Sequence, residues 1–212
     1  MSVKIIIKSM TSVINVNFEK DVGSKIENSK DFAIANDINL LRLLESTNNF
    51  IIHSSEDAKD GEVKPVHNEK LFVEKMYNML FVKKLNPWVD FKKSFHNRKE
   101  REDARINCHF AIVVCSPKYL DHNKDNTEIA EEISHFRDKQ NILKYNPFIP
   151  IKFNLSAKQF LKTGFTYGKN VIEIDYPNNK DRVDFMADLA VQKIREHIIA
   201  EIKKRGDIPS LD

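Results

Sequence analysis

The chain has 212 residues, 34 Lys and Arg against 31 Asp and Glu for a net charge of +3, and 41% hydrophobic residues. That length and apolar content suit one domain with a modest extension, and they exclude a chain disordered throughout. The near balance of charge argues against a dedicated nucleic-acid binder. Only five glycines occur, Gly23, Gly61, Gly164, Gly168 and Gly206, and no GxGxxG can be drawn through them. Gly164, Gly168 and Lys169 fall one residue short of a Walker A loop, and Asn170 stands where a Ser or Thr would bind magnesium. Both glycine-rich phosphate cradles are therefore excluded.

In chain order, VKIIIK and SVINVNF read as two short strands. In the second, Ile14, Val16 and Phe18 alternate with Asn15 and Asn17, the period of a half-buried strand. INLLRLLEST suggests a short helix. From Asn49 the pattern sharpens. NFIIHSSED is an apolar run that ends in small and polar residues, and a loop with Gly61 and Pro65 follows. EKLFVEKMYNMLFVKK has helical spacing, NPWVDF is a short strand, and the charged KKSFHNRKEREDARIN reads as a salt-laced helix. HFAIVVCSP is a strand buried on both faces by its continuous apolarity. After Ser116-Pro117 a polar loop is expected, then a helix from about Asn126 to His135, the strands PFIPIKF and NVIEIDY, and a long helix from Asp181 to Lys204. Its apolar stripe is expected to run through Phe185, Leu189, Ile194, Ile198 and Ile202. Strands alternating with helices imply a parallel sheet joined by right-handed crossovers. Such sheets place function where the carboxyl ends of the strands meet the loops.

Cys108 and Cys115 lie in the apolar run CHFAIVVC, too far apart along a strand to pair, and read as two reduced core thiols. The seven histidines are scattered, so no metal site is expected, and no Ser, His and acid set can be ordered into a triad. No apolar run approaches the roughly 18 residues that span a bilayer, and the opening residues carry no leader pattern. A cytoplasmic protein without membrane or nucleic-acid partners is expected.

The succession FIIHSSED, helix, NPWVDF, AIVVCSPKYL, TEIAEEI and FIPIKF resembles a Toll/interleukin receptor (TIR) domain. No single motif is specific, but their order and spacing together are. The resemblance covers residues 49–205, leaving 1–48 as an N-terminal extension of short strands plus a helix and 206–212 as a tail. It implies an α/β, flavodoxin-like fold with a central five-stranded parallel sheet flanked by helices. One feature departs from the family. The segment from Asp90 to Cys108 has no Pro and no Gly, so the Pro-Gly turn through which receptor adaptors meet is missing.

Many TIR domains cleave NAD+ at the nicotinamide–ribose bond, and others are non-catalytic scaffolds. The resemblance therefore implies an NAD+ nucleosidase or cyclase of bacterial antiviral defence. Its product would be ADP-ribose or a cyclic ADP-ribose-type signal, with NAD+ as substrate rather than cofactor, self-association through TIR–TIR contacts and possible coupling to a signal-activated effector. The alternative is an adaptor acting through protein assembly. A more distant alternative is a nucleoside-processing transferase on a related sheet. Cleavage needs little chemistry, because nicotinamide is already a cationic leaving group and one carboxylate near the ribose can stabilise oxocarbenium character. In enzymatic members a glutamate follows the Ser-Pro pair by about a dozen residues, and Glu128 occupies that place. Its other reading is an acid that complements a helix dipole. Glu131 and Glu132 are expected to form a solvated face. Candidate substrate-binding residues are His53, Ser54, Ser55, Trp88, Asp90, Ser116 and Tyr119. Trp88 is either a stacking wall or a core residue, and the Ser residues are either ribose contacts or turn residues. Lys92 and Lys93 could meet pyrophosphate or remain solvated.

Overall fold

A computed structural model describes residues 3–9, 12–18, 38–54, 69–89, 98–122, 127–143, 145–166, 171–174 and 182–205. The chain divides into two units, Met1–Leu41 and Arg42–Asp212. In the first, β1 (Val3–Ser9) and β2 (Ser12–Phe18) pair antiparallel, with Ile5 opposite Val16 and Ile7 opposite Ile14. Helical residues 38–45 (α1) carry the chain into the second unit.

There, five strands form one parallel sheet: β3 (Asn49–Ile52), β4 (Pro87–Val89), β5 (Phe110–Cys115), β6 (Phe148–Phe153) and β7 (Ile172–Ile174). Their spatial order is β4-β3-β5-β6-β7, with every neighbouring pair parallel. Numbered within the sheet, this is 2-1-3-4-5, the order of flavodoxin-like doubly wound folds. The order reverses between β3 and β5. Helices α2 (Glu69–Val82) and α7 (Val183–Arg205) pack together. A second layer comes from α3 (Arg98–Asn107), α4 (Pro117–His122), α5 (Thr127–Leu143) and α6 (Ala157–Phe160). Its core joins Ile129, Ile133 and Phe136 of α5 to Ala111, Val113 and Cys115 of β5 and to Phe50 and Ile52 of β3.

Each strand of β3, β5 and β6 is buried along its whole length, as continuous apolarity requires when both faces are covered. Both cysteines are buried free thiols, and burial pushes Cys108 up to about 12. Neutral groups tie the amino ends of the strands together. The Asn48 N–H donates to His109 Nδ1 at 3.0 Å, the Asn49 amide donates to the Leu85 carbonyl, and Asn86 Nδ2 donates to the Glu45 carbonyl at 2.8 Å. Burial pushes His109 down to about 4, with the Lys139 charge adding to the effect. Lys139 closes α3 by donating to the carbonyls of Arg105 at 3.1 Å, Ile106 at 2.6 Å and Cys108 at 2.7 Å. Those of Arg105 and Ile106 are among the carbonyls that a helix end leaves without intrahelical partners, and Cys108 follows directly after the helix.

Three local expectations change. The stretch after Ser116 is the helix α4 rather than a loop: Pro117 takes its first position, and Ser116 Oγ accepts the Tyr119 N–H at 3.0 Å. Helix α5 runs on to Leu143 because no Pro or Gly interrupts it and Phe136 adds a fully buried contact. In α7 the buried stripe enters through Val183 and Ala187, while Phe185 is 66% exposed. Steps of three and four residues back from Ile202 through Ile198 and Ile194 reach Val191, Ala187 and Val183, which bypass Phe185 and Leu189. Among the described residues, no helix is long and apolar enough to cross a membrane.

Ile112 has no exposed surface and Ile142 is 74% exposed. Ile112→Ala is expected to cost about 2–5 kcal/mol in denaturant unfolding, and Ile142→Ala less than about 0.5 kcal/mol. Equal losses at the two sites would contradict this placement of the core.

Candidate functional site at the strand exits

The exits of β3 and β5, where the strand order reverses, meet at Glu69. This residue opens α2 and is only 3% exposed. Its Oε1 accepts the N–H of Ser54, the second residue beyond β3, at 3.0 Å. Ser116, the first residue beyond β5, acts on the same carboxyl. Burial pushes Glu69 up from 4.5 to about 7, held back by the Ser116 side chain, the Ser54 N–H and the charge of Lys118. One carboxyl thus ties the two exits flanking the switch point. His53 and Ser54 are buried beside it. Among the described residues, the Ser54 hydroxyl has no hydrogen-bond partner.

Glu128, in the first turn of α5, is held elsewhere. Its carboxylate is half-exposed and accepts from Arg101 Nη1 of α3 at 2.9 Å. The same guanidinium directs Nε, at 2.7 Å, and Nη2, at 2.5 Å, onto Glu132 Oε1. Glu132 is therefore not part of a solvated face: it is 3% exposed and turned toward α3. Burial pushes it up to about 7 against the pull of Arg101, and the nearby Glu128 charge adds to the rise. Burial would lower the Arg101 guanidinium, but Glu132 and Glu128 outweigh that and raise it.

Tyr119 connects the two groups. It is 1% exposed in α4, and its phenol is pushed up first by burial, then by neighbouring Cys115, with Glu132 also in electrostatic reach. Cys115 in turn lies within reach of Glu69. Trp88 on the edge strand β4 stacks on Phe50 with ring centroids 4.6 Å apart and packs half-buried against the core of that face. Ser55, Asp90, Lys92 and Lys93 lie outside the described residues. Of the candidate residues, Ser54 and Ser116 meet at Glu69 and Tyr119 is adjacent, while Trp88 and Glu128 are engaged by other partners.

Glu69 is the residue that sequence reasoning did not single out. An acid at a helix start looks like a dipole complement, and its burial depends on strand exits far away in the chain. Among the described residues, no three His, Cys, Asp or Glu side chains are grouped to hold a metal ion. No protein-family model, curated protein or solved structure matches the chain.

Glu69 and Glu132 are both held above the ordinary carboxyl value, so the fold binds protons that the unfolded chain releases near 4.5. The stabilisation from each is fully present below about 4.5 and is lost as pH rises to about 7. Histidines with lowered values, such as His109, act in the opposite sense, so the clean quantity is a difference between proteins. Relative to wild type, Glu69→Gln is expected to gain stability as pH rises from 4.5 to 7 and to change little beyond. Urea midpoints of both proteins across that range check it; a pH-independent difference would contradict it.

Proposed function

We propose that the chain is a TIR-type NAD+ nucleosidase or ADP-ribosyl cyclase that acts in the cytoplasm in bacterial antiphage defence. The observation that carries this reading is the convergence of Ser54, Ser116 and buried Glu69 where the sheet order reverses. Doubly wound sheets bind ligands in that crevice. Hydroxyls and carboxyls are the groups suited to a ribose, since they accept from and donate to its hydroxyls. The motif order FIIHSSED, NPWVDF, SPKYL and TEIAEEI supplies the family assignment and points to Glu128 as the reacting-centre carboxylate.

In the proposed step the bond between ribose C1′ and the nicotinamide nitrogen breaks. Its electron pair leaves with nicotinamide, which departs neutral without needing an acid. The sugar ring passes through oxocarbenium character, stabilised by the negative charge of Glu128. Water attacking C1′ and losing a proton to solvent gives ADP-ribose; attack by a nitrogen of the adenine ring gives a cyclic product. His53, Ser54, Ser116 and Tyr119 would shape the binding side, and Trp88 would line the cleft through its exposed part. Self-association could complete the cleft.

A second reading, a non-catalytic TIR scaffold, is favoured by one observation: Glu128 is ion-paired with Arg101. Nicotinamide release from NAD+, followed by chromatography over a range of protein concentrations, separates the two. Under the first reading, Glu128→Gln is expected to lower turnover by roughly 10²-fold or more, the scale for removing a group aimed at transition-state charge. Full turnover in that variant would remove Glu128 from the chemistry. No release at any concentration would leave the scaffold.

A further inference from the structure

The bonds from Arg101 to Glu132 and to Glu128 are unequal. Two guanidinium nitrogens converge on Glu132, whose side chain is 4% exposed, and a single nitrogen reaches Glu128, whose side chain is 51% exposed. Two nitrogens hold the buried carboxyl of Glu132 and one holds the exposed carboxyl of Glu128, and breaking a buried pair costs more than breaking an exposed one, so the Arg101–Glu132 arm is the more durable. The half-exposed arm to Glu128 is screened by water and salt and is easily broken. Arg101 can therefore release Glu128 without leaving itself or Glu132 unpaired.

The chemistry gives this asymmetry a direction. A carboxylate stabilises an oxocarbenium ion through its negative charge. A guanidinium bonded to it compensates that charge and places a cation where further positive charge must develop. We infer that Arg101 is a latch: anchored on Glu132, it holds Glu128 in a resting position that must open before a ribose can be engaged. The inference rests on the proposed glycohydrolase reading and makes Arg101 a positioning residue rather than a catalytic one. In this scheme α3 controls the reactive edge of α5, and any partner or second copy that draws α3 away would activate the chain.

The test uses the full chain and NAD+. Arg101→Lys keeps a cation for Glu132 but cannot span both carboxylates. Its kcat/KM for nicotinamide release is expected to rise roughly two- to fivefold, the range for losing one partly exposed ion pair. Wild-type activity should rise with added salt, while Arg101→Lys should be nearly insensitive, a difference that a purely structural role for Arg101 would not produce. The double variant Arg101→Gln with Glu132→Gln replaces the buried ion pair by an amide pair and should be activated in the same way if the single variant folds poorly. If Glu128→Gln abolishes release while Arg101→Lys and the double variant stay at or below wild type, the latch is overturned and the glycohydrolase reading stands. If Glu128→Gln retains turnover, or no variant releases nicotinamide, that reading falls and the latch with it.

Discussion

A strand without a polar side chain can be placed only between two covered faces, and Phe110–Cys115 imposes that constraint on the whole second unit. Every one of its residues is 1% exposed or less. Ala111, Val113 and Cys115 enter the core made with α5, while Phe110 turns the other way and meets His197 of α7 edge-on at 6.4 Å. With both faces committed, β3 and β6 must bond to its two edges, and the helices must divide into two layers. The exit of β5 is then fixed beside that of β3, because the two strands run parallel with Asn49 opposite Phe110 and Ile52 opposite Val113. Ser54 and Ser116 are brought to one carboxyl by this register, not by any local signal.

The two edges of the sheet solve the burial of polar groups differently. At the amino edge the ties are neutral: Asn48 to His109, Asn49 to Leu85, Asn86 to Glu45. They do not change with pH near neutrality, since His109 is held neutral there by its burial. Lys139, capping α3 through three carbonyls, is the charged exception. At the carboxyl edge, buried ionisable groups stand beside the neutral Ser54 and Ser116: Glu69, Glu132 with Arg101, and Lys152, which faces Glu173 across β6 and β7 at 3.0 Å. Buried carboxyls with raised values oppose folding at neutral pH. They lie at the edge where parallel sheets bind ligands, and the proposed chemistry would draw on carboxyls held in this way.

Much of the sheet was legible because its signal is local. Continuous apolar runs bounded by polar residues locate β3, β5 and β6, and their alternation with helical segments gives a parallel sheet. What was missed depends on partners distant in the chain. Glu132 stands four residues after Glu128 and looked like a second surface acid; its burial needs Arg101, supplied by a helix whose matched charges suggested internal pairing. Glu69 has the appearance of any first-turn acid until β3 and β5 close around it. The stripe of α7 holds at Ile194, Ile198 and Ile202 and differs in its first half: Ala187 and Ala190 have no exposed surface, because small residues let α7 lie close to α2 and the sheet, while Phe185 faces out. The start of α4 is a capping serine followed by proline in the first helical position, a local signal that the expectation of a loop there leaves unused.

The shortage of glycine bears on what the site can hold. Among the described residues, Gly164 at φ 83° is the one glycine in the left-handed region, and Lys84, Asn86 and Asn154 occupy it at 57°, 36° and 53°. Asparagine tolerates this conformation better than most residues, and such positions keep a side chain where a glycine would leave bare backbone. Asn154 sits directly beyond β6, its N–H donating to the Ile174 carbonyl at 3.0 Å, so that backbone donor is already used. The Ser54 N–H is likewise taken by Glu69, and the Tyr119 N–H by Ser116. A phosphate cradle needs several free backbone N–H groups converging on one point. Among the described residues, these exits instead carry hydroxyls, a carboxyl and an amide side chain. Such groups match the alternating donors and acceptors of a sugar better than the uniform acceptors of a phosphate, so under the proposed reading they would suit the ribose of NAD+ rather than its pyrophosphate.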